Sequence, residues 1–218
     1  MSQRMVYQTE ETRQKILVAA DAVFIEKGFF DTQMKDVAVA IGISRNSLYR
    51  YFQDKGDLGY AVLGMVYARM EPRLDQVLRE TQADARLSGR ERLQLFLTTG
   101  LLSKALRADL TFMAEFDSYF SGDRIPADFR SQMGGLLPKS LMSRIADLVT
   151  AGVQDGSIRS DISPGELMPM VIYSVKALQQ HVLLRGSALV GLSHRNAQRL
   201  LPNLITVLID GLKPVKPD

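Results

Sequence analysis

The chain has 218 residues, a net charge of +3 and no cysteine, which excludes disulfides and metal sites built on thiolates. This length is enough for one large or two small domains. The sequence contains no run of about 18 apolar residues and no apolar segment near its N-terminus, so we expect neither a membrane span nor a signal peptide. These features favour a cytoplasmic protein.

Helical spacing of apolar residues dominates the chain from its beginning. Ile16, Leu17, Ala20 and Phe24 recur at intervals of three and four, which predicts a first helix capped by Thr9 and ending near Gly28. The same spacing continues through later segments, without a convincing strand. The sequence therefore predicts an all-α fold.

Residues 32–58 have the pattern of a helix-turn-helix. Ala38 is small enough for a second helix to cross closely, and Gly42 can adopt the left-handed conformation that ends a helix. Leu48 then returns to pack in the corner between the helices. With the first helix packed over it, this segment predicts an N-terminal three-helix DNA-binding module.

Three polar residues are candidates for the helix N-caps of this module. Thr32 is predicted to cap a helix from Gln33 to about Ala40, and Ser44 to cap the recognition helix. Asp54 is predicted to cap a third helix that starts at Lys55. The first-turn amides of that helix, with the Lys55 ammonium, would form an anion site suited to a phosphate.

The run ISRNSLYRYFQDKGDL, preceded by GFFDTQMKDVAVAIG, resembles the signature of the TetR family of transcriptional regulators. The resemblance covers roughly residues 10–60. The chain departs from the family pattern at Asn46 and Gly56, where the family usually has Gly and Glu. The resemblance implies a homodimer that binds double-stranded DNA at an inverted repeat. We expect a repressor that is released by a small apolar or amphipathic effector.

The DNA contacts are predicted from placement, because residues 1–58 contain eight basic and eight acidic residues and so lack a bulk basic surface. The candidates for base edges, at the start of the recognition helix, are Arg45, Asn46 and Ser47. The candidates for phosphate contacts are Thr32, Gln33, Lys35, Tyr49, Tyr51 and Lys55. Ser44 is first a helix cap and only second a DNA contact, and Arg50 is either a DNA contact or a solvated charge.

The sequence predicts a helical effector-binding and dimerisation domain over residues 55–212, after a DNA-binding domain over 1–54. The predicted helices cover 55–83, 91–107, 109–121, 126–154, 164–185 and 193–212. Pro72 marks a kink or break in the first of these, and Gly134, Gly135 and Pro138 interrupt the helix over 126–154. Pro202 lies inside the last of them and should remove one hydrogen bond. The tail, residues 213–218, is predicted to be disordered.

The last two helices are apolar on more than one face, which indicates cover on more than one side. The TetR resemblance implies pairing through these helices, with a two-fold four-helix interface. The predicted interface residues are Val171, Val175, Leu178, Val182, Leu201, Leu204, Ile205 and Leu208. The alternative is that these helices are buried in one large core.

The TetR resemblance also implies a small-molecule pocket among the helices of residues 60–185. Aromatic side chains, methionines and one carboxylate are the candidates for its lining. They are Tyr67, Phe96, Phe112, Glu115, Phe116, Tyr119, Met133, Met142 and Tyr173. The alternative is that most of them are ordinary core residues and that Glu115 is a rim charge. Gly134, Gly135 and Pro138 are candidates for a gate.

The sequence gives no basis for an enzyme or for a cofactor. The two histidines, His181 and His194, do not belong to a cluster with metal-ligand spacing, and no phosphate-binding glycine loop or serine elbow occurs. The alternative function is a DNA-binding architectural or protein-interaction factor of the same fold that has no effector.

Overall fold

A computed structural model describes residues 3–136, 139–189, 191 and 193–215. Every regular element in these ranges is helical, which confirms the all-α prediction. None of the helices in the described ranges combines the length and apolar composition that crossing a membrane requires.

Contacts divide the chain into two compact units. The N-terminal unit contains residues 1–68 and 108–137, and the C-terminal unit contains residues 69–107 and 138–218. This division differs from the predicted ranges 1–54 and 55–212. Residues 55–68 and 108–137 group with the first 54 residues and not with the rest of the chain. The predicted ranges stay a prediction about domain organisation.

The N-terminal unit combines the long α1 with several shorter helical segments. Its helices are α1 (Gln3–Lys27), α2 (Met34–Ala40), α3 (Arg45–Tyr49), the first half of α4 (Lys55–Ala83), α6 (Arg107–Tyr119) and α7 (Phe129–Leu136). Thr9 lies inside α1, so the prediction that it caps this helix is wrong. The residues before it, with Gln, Arg and Met among them, also have good helix propensity.

The C-terminal unit contains the remaining α-helices. They are the second half of α4, α5 (Gly89–Phe96) with a π-helical turn (Leu97–Leu101), α8 (Lys139–Gln154), α9 (Pro164–Arg185) and α10 (His194–Gly211). The predicted bounds of α9 are confirmed, and those of α10 agree within a residue.

Proline and glycine interrupt the helices less than the sequence predicts. Pro72 lies inside α4 and Pro202 inside α10, so neither residue splits its helix. Both prolines are exposed, where water can satisfy a carbonyl that loses its helical partner. Gly134 and Gly135 lie inside α7. Pro138, the third residue of the predicted gate, lies outside the described residues, as does the predicted tail from 216 onward.

In the C-terminal unit, α5 crosses α8 at two glycines. A Cβ atom added at Gly89 would lie 2.3 Å from the backbone nitrogen of Gly152, so the two backbones touch. The Gly89 amide donates to Asp155 Oδ2 at 2.6 Å, and the Arg90 amide donates to Ser157 Oγ at 3.1 Å. The first amides of α5 are therefore satisfied by the segment that follows α8.

The N-terminal unit has an aromatic core. Its members, linked by ring contacts, are Phe24, Phe29, Tyr60, Phe112, Phe116, Tyr119, Phe120 and Phe129. Gly59 in α4 allows the rings to reach the helix backbone, because a Cβ there would lie 2.7 Å from Phe29 Cε2 and 2.9 Å from Phe116 Cε2. The core therefore fixes α6 against the start of α4.

Replacing Gly59 with alanine is expected to lower the free energy of unfolding by about 1–3 kcal/mol, since two buried rings must move. Gly134→Ala is the matched control, because Gly134 is also helical but a Cβ there meets nothing within 4 Å. That variant is expected to gain up to about 1 kcal/mol from helix propensity. Urea unfolding of both variants tests this, and equal effects would contradict the packing argument.

Candidate nucleic-acid interface

The predicted turn between α2 and α3 is confirmed in its geometry. Gly42 has φ +68°, and the Ile43 amide donates to the carbonyl of Ala38 at 3.0 Å. These are the features of a glycine C-cap that ends a helix sharply. Leu48 and Val37 are fully buried in the corner. The turn therefore holds α3 against α2 and leaves the opposite face of α3 outward.

The N-cap of α2 differs from the prediction. Thr32 is buried, and its hydroxyl donates to the carbonyl of Gly28 at 2.7 Å. Gln33 is the N-cap, and its amide donates to Asp36 Oδ2 at 2.8 Å. That hydrogen bond, with the Lys27 ammonium 3.0 Å from the other carboxylate oxygen, holds the pKa of Asp36 below its ordinary value. Thr32 therefore points inward, toward the turn at Gly28, and does not cap the N-terminus of α2.

Ser44 caps α3 as predicted, because its Oγ accepts from the Ser47 amide at 3.1 Å. Arg45 and Asn46 are exposed next to this cap. Arg45 Nη2 donates to the Tyr49 hydroxyl at 3.1 Å, and its guanidinium lies 5.4 Å from the centroid of the Tyr49 ring. The tyrosine therefore holds this arginine in one orientation, which lowers the entropy lost when the guanidinium binds a partner.

The other predicted DNA contacts divide into accessible and occupied groups. Gln33, Lys35 and Arg50 are exposed, whereas Ser47 and Tyr51 are half-buried. Thr32 is buried, as described above. Lys55 Nζ donates to the carbonyls of Phe29 at 2.8 Å and Phe30 at 3.0 Å. We therefore correct the prediction that Thr32 and Lys55 contact phosphates, because both groups are bound within the chain.

The predicted anion site at the start of α4 is also occupied. Asp54 Oδ1 accepts from the Asp57 amide at 2.8 Å, and Asp57 Oδ2 accepts from the Gln53 amide at 2.9 Å. Asp54 thus caps α4 as predicted. The same carboxylates place negative charge where a phosphate would bind, so we no longer assign a phosphate to this helix end.

The predicted effector residues belong to two units. Those in the N-terminal unit are Tyr67, Phe112, Glu115, Phe116, Tyr119 and Met133, and those in the C-terminal unit are Phe96, Met142 and Tyr173. Tyr67, Phe96, Phe112 and Phe116 are buried, and Tyr119, Met133 and Met142 are half-buried.

Two of these residues do not have the environment that the sequence predicts. Tyr173 is 69% exposed, so it does not line a pocket within this chain. Glu115 Oε2 accepts a hydrogen bond from the Phe29 amide. Its carboxylate therefore has a partner in the backbone, whereas the prediction placed it against a cationic ligand or at a rim.

The predicted dimer residues on α9 and α10 are either buried or half-buried within the protomer. Val171, Val175 and Ile205 are buried within the protomer, so we assign them to its core. The remaining five, which are Leu178, Val182, Leu201, Leu204 and Leu208, are half-buried.

The opposite faces of these helices expose the apolar residues that the prediction missed. Met170 is 58% exposed, Tyr173 69% and Val207 68%. The spacing of Met170, Tyr173, Ala177 and Leu184 is itself helical, so this second apolar row was a signal in the sequence. We define Met170, Tyr173, Leu184 and Val207 as the outer apolar face.

Across the described part of the chain, no group of three or more histidines, cysteines or carboxylates is arranged to hold a metal ion. His181, which the sequence placed near the apolar stripe of α9, is exposed. The side chain of His194 lies outside the described residues.

Comparison with known proteins adds to this geometry. Residues 16–62 match the family model described as bacterial regulatory proteins, tetR family. The transcriptional repressor BepR of Brucella suis biovar 1 is 37% identical over 54 residues, which are 25% of this chain and 26% of that protein. The transcriptional activator FasR of Mycolicibacterium smegmatis is 33% identical over 72 residues, 33% of each chain. The chain thus spans about a quarter to a third of the length of the curated relatives it matches.

A solved structure extends the likeness in fold to most of the chain. The fatty acid degradation regulator FadR of Bacillus halodurans superposes with a TM-score of 0.63 at 18% identity, covering 92% of this chain and 95% of that one. The relatives are named as transcriptional regulators and not as enzymes. The match over residues 16–62 supports a transcriptional regulator of the tetR family, and the likeness over most of the chain is one of fold.

Proposed function

We propose that this protein is a homodimeric transcriptional regulator that binds an inverted repeat in double-stranded DNA through α3. We propose further that it is a repressor released by a small apolar or amphipathic effector. One observation carries the proposal. Arg45 and Asn46 are exposed on a short helix whose start is fixed by Ser44 and whose packing is fixed by Gly42 and Leu48.

The exposed side chains of this module fall into two groups, candidates for contacts with base edges and candidates for contacts with phosphates. Arg45 has the fork geometry to pair with guanine O6 and N7, and Asn46 has the amide to pair with adenine. Ser47 is a further candidate for a base edge, and its hydroxyl lies 2.9 Å from that of Ser44. The candidates for phosphate contacts, which set the register on the duplex, are Gln33, Lys35, Tyr49, Arg50 and Tyr51.

The outer apolar face supports a dimer. Large apolar side chains that are more than half exposed, as Met170, Tyr173 and Val207 are, favour cover by a partner. These three lie on α9 and α10, which pack against each other. A second copy is the occupant we propose, because a two-fold axis through this face would give two recognition helices and hence two half-sites.

The buried aromatic side chains and the half-buried methionines are the support for an effector site. Such side chains accommodate apolar ligands of varied shape. An effector would release DNA by binding more tightly to the conformation that does not bind DNA. The repressor assignment follows BepR, which is named a repressor.

The test begins with selection of sheared genomic DNA on the purified protein, followed by binding measurements on the enriched sequence. Arg45→Ala is expected to weaken binding by about 10- to 100-fold and to relax the preference for one base in each half-site. Lys35→Ala is the comparison. It is expected to weaken binding to all sequences similarly and to reduce the dependence on salt.

Two outcomes would contradict the proposal. If Arg45→Ala changes neither affinity nor base preference, Arg45 does not read a base. If the wild-type protein enriches no inverted repeat even at low salt, where binding is strongest, the architectural or protein-interaction function is favoured instead.

A further inference from the structure

Three segments of the N-terminal unit meet at the backbone of Phe29 and Phe30, between α1 and α2. The Phe29 amide donates to Glu115 Oε2 of α6. Lys55, the first residue of α4, donates from Nζ to the Phe29 carbonyl at 2.8 Å and to the Phe30 carbonyl at 3.0 Å. An acidic and a basic side chain thus hold the same backbone corner from two helices.

The corner is shaped to admit the carboxylate. Gly28 has φ +83°, a conformation that favours glycine. A Cβ atom at this position would lie 3.1 Å from Glu115 Oε2 and 3.2 Å from Oε1. Any side chain here would press on the carboxylate, so the glycine both makes the turn and allows Glu115 to reach the backbone.

Aromatic rings surround this junction and strengthen it. Lys55 Nζ lies 4.9 Å from the centroid of the Phe29 ring and 4.8 Å from that of Tyr119, both within the range of cation–π attraction. Burial lowers the pKa of Lys55, and the charges of Asp31 and Glu115 oppose this shift. Hydrogen bonds in which the donor is charged are stronger than those between neutral groups.

The same corner determines where the helix-turn-helix begins. The Thr32 hydroxyl donates to the carbonyl of Gly28, one residue before Phe29, and Thr32 directly precedes the N-cap of α2. Lys27, at the end of α1, pairs with Asp36 in the first turn of α2 at 3.0 Å. A shift of the Phe29 backbone would therefore be passed to α2 and, through the Gly42 turn, to α3.

We propose that Glu115 and Lys55 are positioning residues that couple α6 to the recognition helix. Neither contacts DNA. They set the affinity for DNA by fixing the corner from which α2 and α3 extend, so a displacement of α6 changes how α3 is presented. This inference rests on the proposed function, since it concerns the regulation of the same DNA-binding surface.

The test compares three variants by operator affinity and by unfolding free energy. Glu115→Ala removes the acceptor for the Phe29 amide and is expected to weaken DNA binding about tenfold or more, in protein that is folded and dimeric. Glu115→Gln keeps an oxygen acceptor and is expected to restore affinity to within about threefold of wild type. Asp117→Ala removes an exposed carboxylate from the same helix and is expected to leave affinity unchanged.

Lys55→Met tests the same coupling independently if Glu115→Ala does not fold. It keeps the apolar stem but removes the donor to both carbonyls, and the same loss of affinity is expected. Hydrogen exchange at the Phe29 amide should become faster in Glu115→Ala than in Glu115→Gln. A purely structural brace predicts lower stability in these variants with unchanged affinity of the folded fraction, and that result would overturn the inference.

The failure of this inference is distinguishable from failure of the proposed function. If wild-type protein binds no specific DNA, the proposed function fails. If wild-type protein binds its operator and Glu115→Ala binds it equally well, only the coupling role fails.

Discussion

Gly89→Ala is expected to lower the free energy of unfolding by roughly 3 kcal/mol or more, at the upper end of what overpacking costs. The added methyl group would lie 2.3 Å from the nitrogen and 2.4 Å from the Cα of Gly152. Both atoms belong to backbone, so no rotamer change relieves the clash and the two helices must separate. Separation would also weaken the hydrogen bond between the Gly89 amide and Asp155.

Two further glycines provide graded controls for this prediction. At Gly152 a Cβ would lie 2.5 Å from the Ile158 side chain. Because side-chain atoms move more easily than backbone, Gly152→Ala is expected to lower the free energy of unfolding by less than Gly89→Ala does. At Gly211, the last residue of α10, a Cβ meets nothing within 4 Å, and the variant should be near neutral. Thermal and urea unfolding would measure the order, and a Gly89→Ala protein as stable as Gly211→Ala would show that the helix crossing tolerates a methyl group.

The double variant Tyr173→Glu/Val207→Glu is expected to be monomeric and to bind operator DNA about 100-fold or more weakly. Both positions are about two-thirds exposed, so the substitutions should leave the protomer folded. In a two-fold interface each charge would be brought near its own copy and desolvated, which opposes association. Without dimerisation the second half-site no longer benefits from the high effective concentration that linkage provides.

Sedimentation and operator titration at equal protomer concentration would test this prediction, with circular dichroism to verify the fold. Val171→Ala is the control, since Val171 lies in the same helix but is buried within the protomer. It should lower stability through a cavity while the folded protein remains dimeric. A double variant that stays dimeric would place the interface on another surface.

Local features of the chain were predicted well where their cause was local. The Ser44 cap, the Gly42 turn and the Asp54 cap depend on hydrogen bonds and backbone preferences within a few residues, which sequence spacing states directly. The start of α9 is local in the same way, because Ser163 and Glu166 form a capping box and Pro164 occupies the first helical position. The apolar spacing of α9 and α10 correctly gave two helices with apolar residues on more than one face.

The sequence could not state which of two apolar faces turns inward. Val171 and Tyr173 lie on opposite sides of α9, and both sides carry apolar residues. Val171 is 3% exposed and Tyr173 is 69% exposed. The packing of α9 against its neighbours decides this, and it is the reason that we propose the outer apolar face as the dimer surface.

The sequence by itself determined the helical fold, the helix-turn-helix and the side chains at the start of α3, because caps, turns and periodicity act over a few residues. Only the tertiary structure decided the roles of Thr32, Lys55 and Glu115. Thr32 and Lys55 were predicted to contact phosphates, and Glu115 to meet a cationic ligand or to lie at a rim. Each instead binds backbone of the α1–α2 corner. Glu115 lies 86 residues from its partner, and a polar side chain takes whichever hydrogen-bonding group the folded chain brings to it.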